Sequence, residues 1–107
     1  MGLPPDPPSH IVRLIFVGDV VGKPGMQMVC AAVPWLRRRA HADVIIVNAE
    51  NAADGTGLRQ KQYDRLMQVG VDAITLGDHI YKKREIIETL IQQKNIVKPA
   101  NFPAASP

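Results

Sequence analysis

The chain has 107 residues, 46% of them hydrophobic and 21% charged, close to the average of a globular domain, which excludes wholesale disorder. Thirteen Lys and Arg against ten Asp and Glu give a net charge of +3, an excess that permits anionic ligands without demanding nucleic acid. Aromatics are 5%, too few for a platform that stacks single-stranded bases, and Cys30, the one cysteine, excludes an internal disulfide framework and fits a reducing compartment such as the cytoplasm.

Residues 1–10 carry Pro4, Pro5, Pro7 and Pro8 and no apolar core, so they read as a mobile lead-in and not as a secretory signal. No apolar run approaches the ~20 residues of a membrane-spanning helix. From Ile11 to Val17 the chain is β-branched and almost wholly apolar, the pattern of a central parallel strand buried on both faces. A glycine-bearing loop follows Gly18-Asp19, and a helix is predicted from about Gly25 to Arg39, kinked or divided by Pro34. Its apolar positions include Met26 and Met28, which suit core or interface packing. Its end carries Arg37, Arg38 and Arg39, read as a solvated helix terminus that complements the dipole.

The unit then repeats. Asp43 to Asn48 is a second buried strand, residues 49–57 a polar loop, and Leu58 to Val69 a helix closed by Gly70. Asp72 to Leu76 is a third strand. Arg84 to Gln93 is a helix with Ile86, Ile87, Leu90 and Ile91 on its apolar face, and Ile96-Val97 is a short fourth strand. Strands alternating with amphipathic helices define an α/β fold with a parallel sheet and right-handed crossovers. The run of elements stops at an unfinished sheet edge, so residues 11–107 are expected to be the N-terminal portion of a larger layered fold.

In an open parallel sheet, ligands bind beyond the carboxyl ends of the strands. Asp19 stands there after the first strand, Glu50 and Asn51 after the second, and Asp78 and His79 after the third. Taken singly, an Asp or Asn at a strand end is more often a turn residue or a helix cap. Three successive strand ends with carboxylates, an amide and an imidazole instead form the donor set of a divalent metal site. Two ions held close together need a bridging carboxylate. Glu50, on the middle segment, is the natural bridge, with Asp19 on one ion and Asp78 on the other. Gly18 to Pro24 also approximates a phosphate-binding P-loop, but the spacing is one residue short and Pro24 stands where Ser or Thr is required. The run Lys82-Lys83-Arg84 reads as solvated, and His10 and His41 lie away from the strand ends.

Four blocks, Gly18-Asp19-Val20-Val21-Gly22-Lys23-Pro24-Gly25, Asn48 to Gly57, Thr75-Leu76-Gly77-Asp78-His79 and Lys98 to Pro103, resemble the bacterial YmdB-like metallophosphoesterases of the calcineurin-like superfamily. The resemblance implies an N-terminal portion of a metallophosphoesterase fold and hydrolysis of 2′,3′-cyclic nucleotides at two divalent ions, iron or manganese. It assigns Asp19 and Asn51 to the first ion, Glu50 to both, Asp78 to the second, and His79 to protonation of the leaving oxygen. It also implies a small phosphodiester substrate, no membrane partner and a cytoplasmic location, with self-association through the sheet edge as an open possibility. Asp78 departs from the family's usual Asn. The family's further metal-binding histidines belong to a C-terminal half, so this chain alone is expected to be inactive or nearly so. The rival readings are a non-catalytic fragment that oligomerises and a small nucleotide-binding module built on the Gly22 loop.

Overall fold

The computed structural model describes residues 2, 3 and 5–107. Its elements in chain order are β1 (Leu14–Val17), α1 (Gly22–Arg38), β2 (Val44–Asn48), α2 (Gln60–Val69), β3 (Ala73–Thr75), α3 (Ile86–Gln92) and β4 (Ile96–Val97). The strands form one sheet in the order β1-β2-β3-β4, and every neighbouring pair is parallel. Adjacent parallel strands joined by crossovers of one hand place the three helices on one side of the sheet.

The pleat then sorts the side chains. Ile15, Val17, Ile45, Val47, Ile74 and Ile96 join Val29 and Val33 of α1, Leu66 of α2 and Ile86 of α3 in one core. The alternate residues point to the other face, where Leu14 and Phe16 are each 55% exposed and Val44 and Ile46 are half-buried. The first strand therefore departs from expectation. It is an edge strand, it starts at Leu14, and Ile11 and Val12 are exposed ahead of it. An apolar run signals burial only if something covers both faces, and within this chain helices cover one.

Two helices also differ from the sequence reading. Helix α1 begins at Gly22 and continues through Pro34 as a single element. Pro24 falls in its first turn, where a backbone N–H has no intrahelical acceptor to lose. Met26 is buried, but Met28 is 73% exposed and packs in no core. In α3 Ile86 and Thr89 are buried and Leu90 packs against the core as expected, but Ile91 is 69% exposed, because the helix is only seven residues long and presents a narrow face. Helix α2 ends as predicted, on Gly70 at φ 108°, whose N–H bonds the Leu66 and Met67 carbonyls.

Arg37 is not a free helix-end charge. It donates to the Gly70 and Asp43 carbonyls at 2.6 and 2.7 Å and pairs with Asp72 at 2.5 Å. Asp72 in turn accepts the Ile45 N–H at 2.8 Å, so one ion pair locks α1 to the entrances of β2 and β3. The expected mobile lead-in falls partly on Met1 and Pro4, which lie outside the described residues. Within it, Pro5 accepts a hydrogen bond from Arg13, and Asp6 pairs with His41 at 2.5 Å. At the other end Tyr81 stacks on Phe102 with ring centroids 5.9 Å apart, and its hydroxyl donates to the Pro107 carbonyl.

Candidate metal centre

The carboxyl ends of β1, β2 and β3 stand side by side, and backbone bonds fix the loops that leave them. Val20 donates to the Asn48 carbonyl at 3.1 Å, Gly22 to the Asn51 carbonyl at 3.0 Å, and Ala49 to the Thr75 carbonyl at 3.1 Å. Val21 and Asn51 add an isolated parallel bridge beyond the strands. Asp19 turns the chain out of β1 at φ 45°, a left-handed conformation that Asp tolerates better than most residues. These restraints bring Asp19, Glu50, Asn51, Asp78 and His79 to one rim.

Within the rim, Glu50, Asp78 and His79 offer donor atoms that all lie within 4.8 Å of one another. Glu50 Oε2 is 3.9 Å from His79 Nδ1 and accepts the His79 backbone N–H at 3.4 Å. Asp78 Oδ2 is 3.8 Å from His79 Nε2. The Glu50 side chain is 18% exposed, whereas that of Asp78 is 85% exposed. Asp19 stands outside this trio and is joined to it through Asn51, whose Nδ2 donates to Asp19 Oδ1 at 2.8 Å.

That bond settles the orientation of the Asn51 amide and, with it, the tautomer of His79. A carboxylate only accepts, so the NH₂ of Asn51 faces Asp19 and its Oδ1 faces His79 Nδ1, 2.5 Å away. Nδ1 therefore carries a hydrogen, and Nε2 is the nitrogen that can exchange a proton with a ligand.

The backbone shapes the space around Glu50. A Cβ built on Gly77 would collide with both carboxylate oxygens and Cδ of Glu50, so only glycine lets the β3 exit pass this close to the carboxylate. The sequence alone gives Gly77 no role and does not reveal the Asn51–His79 bond. Neither has a pattern signal, because both arise from contacts between different strand ends.

The donor chemistry fits a cation. Among the described residues, Asp19, Glu50 and Asp78 pair with no Lys or Arg, and His79 is the only basic side chain beside the two latter carboxylates. Three carboxylates without a fixed positive partner repel one another, and a divalent ion relieves that repulsion.

A parallel α/β sheet with acidic, amide and imidazole donors at its carboxyl rim has the arrangement in which open α/β proteins bind ligands. The model of the YmdB-like proteins matches residues 15–107, and the chain belongs to that family. A 2′,3′-cyclic-nucleotide 2′-phosphodiesterase of Bacillus subtilis is 47% identical over 96 residues, which cover 90% of this chain and 36% of that enzyme. Among solved structures, a protein of Thermus thermophilus superposes with a TM-score of 0.82 at 36% identity, covering 90% of this chain and 37% of its own. A phosphatase of Mycoplasma pneumoniae gives a TM-score of 0.80 at 37% identity, covering 86% and 33%. The chain thus spans only about a third of the length of these relatives.

Proposed function

We propose that this chain supplies the metal-bridging and proton-donating portion of a two-metal phosphodiesterase site that hydrolyses 2′,3′-cyclic nucleotides. The observation that carries the reading is the convergence of Glu50, Asp78 and His79 within 4.8 Å at the strand rim. The family and the name of the Bacillus subtilis relative support the substrate class.

Glu50 would bridge two ions, Asp19 would hold the first and Asp78 the second, and Asn51 would join the first only through the remaining lone pair of Oδ1, since its NH₂ faces Asp19. Iron or manganese ions held there would polarise a phosphoryl oxygen and acidify a water. The remaining work belongs to the chain. Asn51 holds the His79 ring by Nδ1 and leaves Nε2 directed to the rim. A protonated Nε2 delivers its hydrogen to the departing ribose oxygen, so that the leaving group exits as an alcohol. Gly77, lacking a Cβ, lets the Glu50 carboxylate lie close against the backbone.

Metal content separates the ligand roles. Manganese binding by calorimetry should fall further in Glu50→Gln than in Asn51→Ala, because a bridge serves both ions. Equal loss in the two variants counts against bridging by Glu50. Circular dichroism on both variants checks that the sheet is intact.

A further inference from the structure

A second concavity lies on the helix side of the loop that follows β2. It encloses about 470 Å³ and is lined by Lys23, Met26 and Gln27 of α1, Ala52 and Asp54 of the loop, and Lys61, Gln62 and Arg65 of α2. None of the five rim residues of the candidate metal centre lines it. Its volume falls within the range of small-molecule sites, roughly 300–1,000 Å³.

The floor is apolar, formed by buried Met26 and Ala52. The walls are basic. Lys61 and Arg65 stand one turn apart on α2, a like-charge spacing that weakens a bare helix. Lys23 faces them from the first turn of α1. Among the described residues these three cations form no ion pair. Of the nearby acids, Asp64 accepts from Gln60 at 2.8 Å, while Asp54 lies 3.9 Å from Arg59, beyond hydrogen-bond distance, and keeps its oxygens as acceptors.

Two helix N-terminal turns also meet here. Lys23 belongs to the first turn of α1, and Lys61 and Gln62 to the first turn of α2. Neither first turn carries an acidic residue of its own, but the α2 end is already met by Glu85, which accepts the Gln60 N–H at 3.2 Å, so the positive field of the cleft rests chiefly on the three side-chain cations. Gln62 uses Oε1 to accept the Arg59 N–H at 3.1 Å, which leaves its amide NH₂ as a donor.

We infer that this cleft binds a phosphate monoester of a hydroxylated small molecule, a sugar phosphate or a nucleoside monophosphate. The phosphate sits among the side chains of Lys23, Lys61 and Arg65. The body of the ligand lies on Met26 and Ala52, and Asp54, the one carboxylate of the lining, accepts its hydroxyl groups.

The site is independent of divalent ions, so it can be tested with them removed. The ¹⁵N-labelled chain is titrated in EDTA with ribose 5-phosphate, AMP and inorganic phosphate, and amide shifts are followed. Ribose 5-phosphate and AMP should each give saturable shifts at Lys23, Ala52, Lys61 and Gln62, at least tenfold tighter than inorganic phosphate. The tighter of the two organic ligands identifies the class. The Lys61→Glu, Arg65→Glu double variant changes only exposed side chains and should weaken binding at least tenfold. Absence of saturable shifts, equal affinity for inorganic phosphate, or unchanged binding by the charge-reversed variant overturns the assignment. Shifts confined to Glu50, Asp78 and His79 overturn it as well, and leave the phosphodiesterase reading untouched.

Discussion

Asn51 presents its amide oxygen to His79 Nδ1 at 2.5 Å while its amide nitrogen donates to Asp19 at 2.8 Å. One side chain thus joins the end of β1 to the turn after β3 and fixes an imidazole on the way. In solution the neutral His79 ring should be the Nδ1–H tautomer, readable from long-range ¹H–¹⁵N couplings. Asn51→Ala removes the acceptor, and the ring should shift toward the Nε2–H form common in free histidine. A wild-type ring already in the Nε2–H form sinks this account of how His79 is oriented.

Gly77→Ala tests the packing around Glu50. The new methyl must push the carboxylate away, and because that carboxylate is the far end of a flexible side chain the stability loss should stay at about 1 kcal/mol. Weaker manganese binding should be the larger effect. Gly18→Ala is the control, because a Cβ there meets nothing within 4 Å, and its stability should stay within about 1 kcal/mol of wild type. Equal behaviour of the two variants removes the close approach as an explanation.

The alternation of strands and helices was legible because burial on the helix side imposes a strong apolar pattern, and all four strands and three helices occur in the predicted order, although β1 starts three residues later and α1 three residues earlier than the pattern put them. The candidate rim was legible because strand ends in a parallel sheet converge. Arg37 was not. In the sequence it is one of three adjacent arginines, and only the fold reveals that Gly70, Asp43 and Asp72 surround it. Leu14 and Phe16 were misread for the converse reason: apolar character does not report whether a second layer is present.

The Arg37–Asp72 pair yields a stability prediction. Asp72→Ala removes the charge partner of Arg37 and strands the Ile45 N–H, which that carboxylate accepts at 2.8 Å. The expected loss is about 1–3 kcal/mol by chemical denaturation. Arg38→Ala and Arg39→Ala, at exposed neighbouring positions, should change stability by no more than about 0.5 kcal/mol. A similar effect of Asp72→Ala and the two arginine variants would return Arg37 to a solvated helix end.

Tyr63 should make the fold sensitive to alkali. Burial pushes its phenol above the ordinary value, opposed by its hydrogen bond to Asn95 and aided by the nearby Asp64 carboxylate. The native state therefore holds this proton at a pH where the unfolded chain has released it. The contribution of Tyr63 to stability is complete below about pH 10 and declines above it, as the unfolded phenol ionises. Tyr63→Phe should lose about 1 kcal/mol near neutrality, from the 2.7 Å bond to Asn95, and show a shallower alkaline decline. An unaltered alkaline slope would show that other groups cause it.

Activity distinguishes the rim from a complete active site. The chain contributes one imidazole, His79, and otherwise oxygen donors to the rim, while His41 is held by Asp6 at 2.5 Å. An exposed set dominated by carboxylates leaves its ions open to water, and two-metal hydrolysis needs both ions firmly placed. The 107-residue chain in manganese should therefore hydrolyse a 2′,3′-cyclic nucleotide at no more than background rate. A chimera that joins this chain to the rest of the Bacillus subtilis relative, of which it covers 36%, should restore turnover. In that chimera His79→Ala should slow turnover by roughly 10²–10⁴-fold while metal content stays unchanged, the signature of a lost proton donor. Chelator-sensitive turnover by the short chain would show that its own donors suffice. Full activity of the His79→Ala chimera would leave His79 as a structural link between Asn51 and Glu50, with protonation of the leaving oxygen assigned elsewhere.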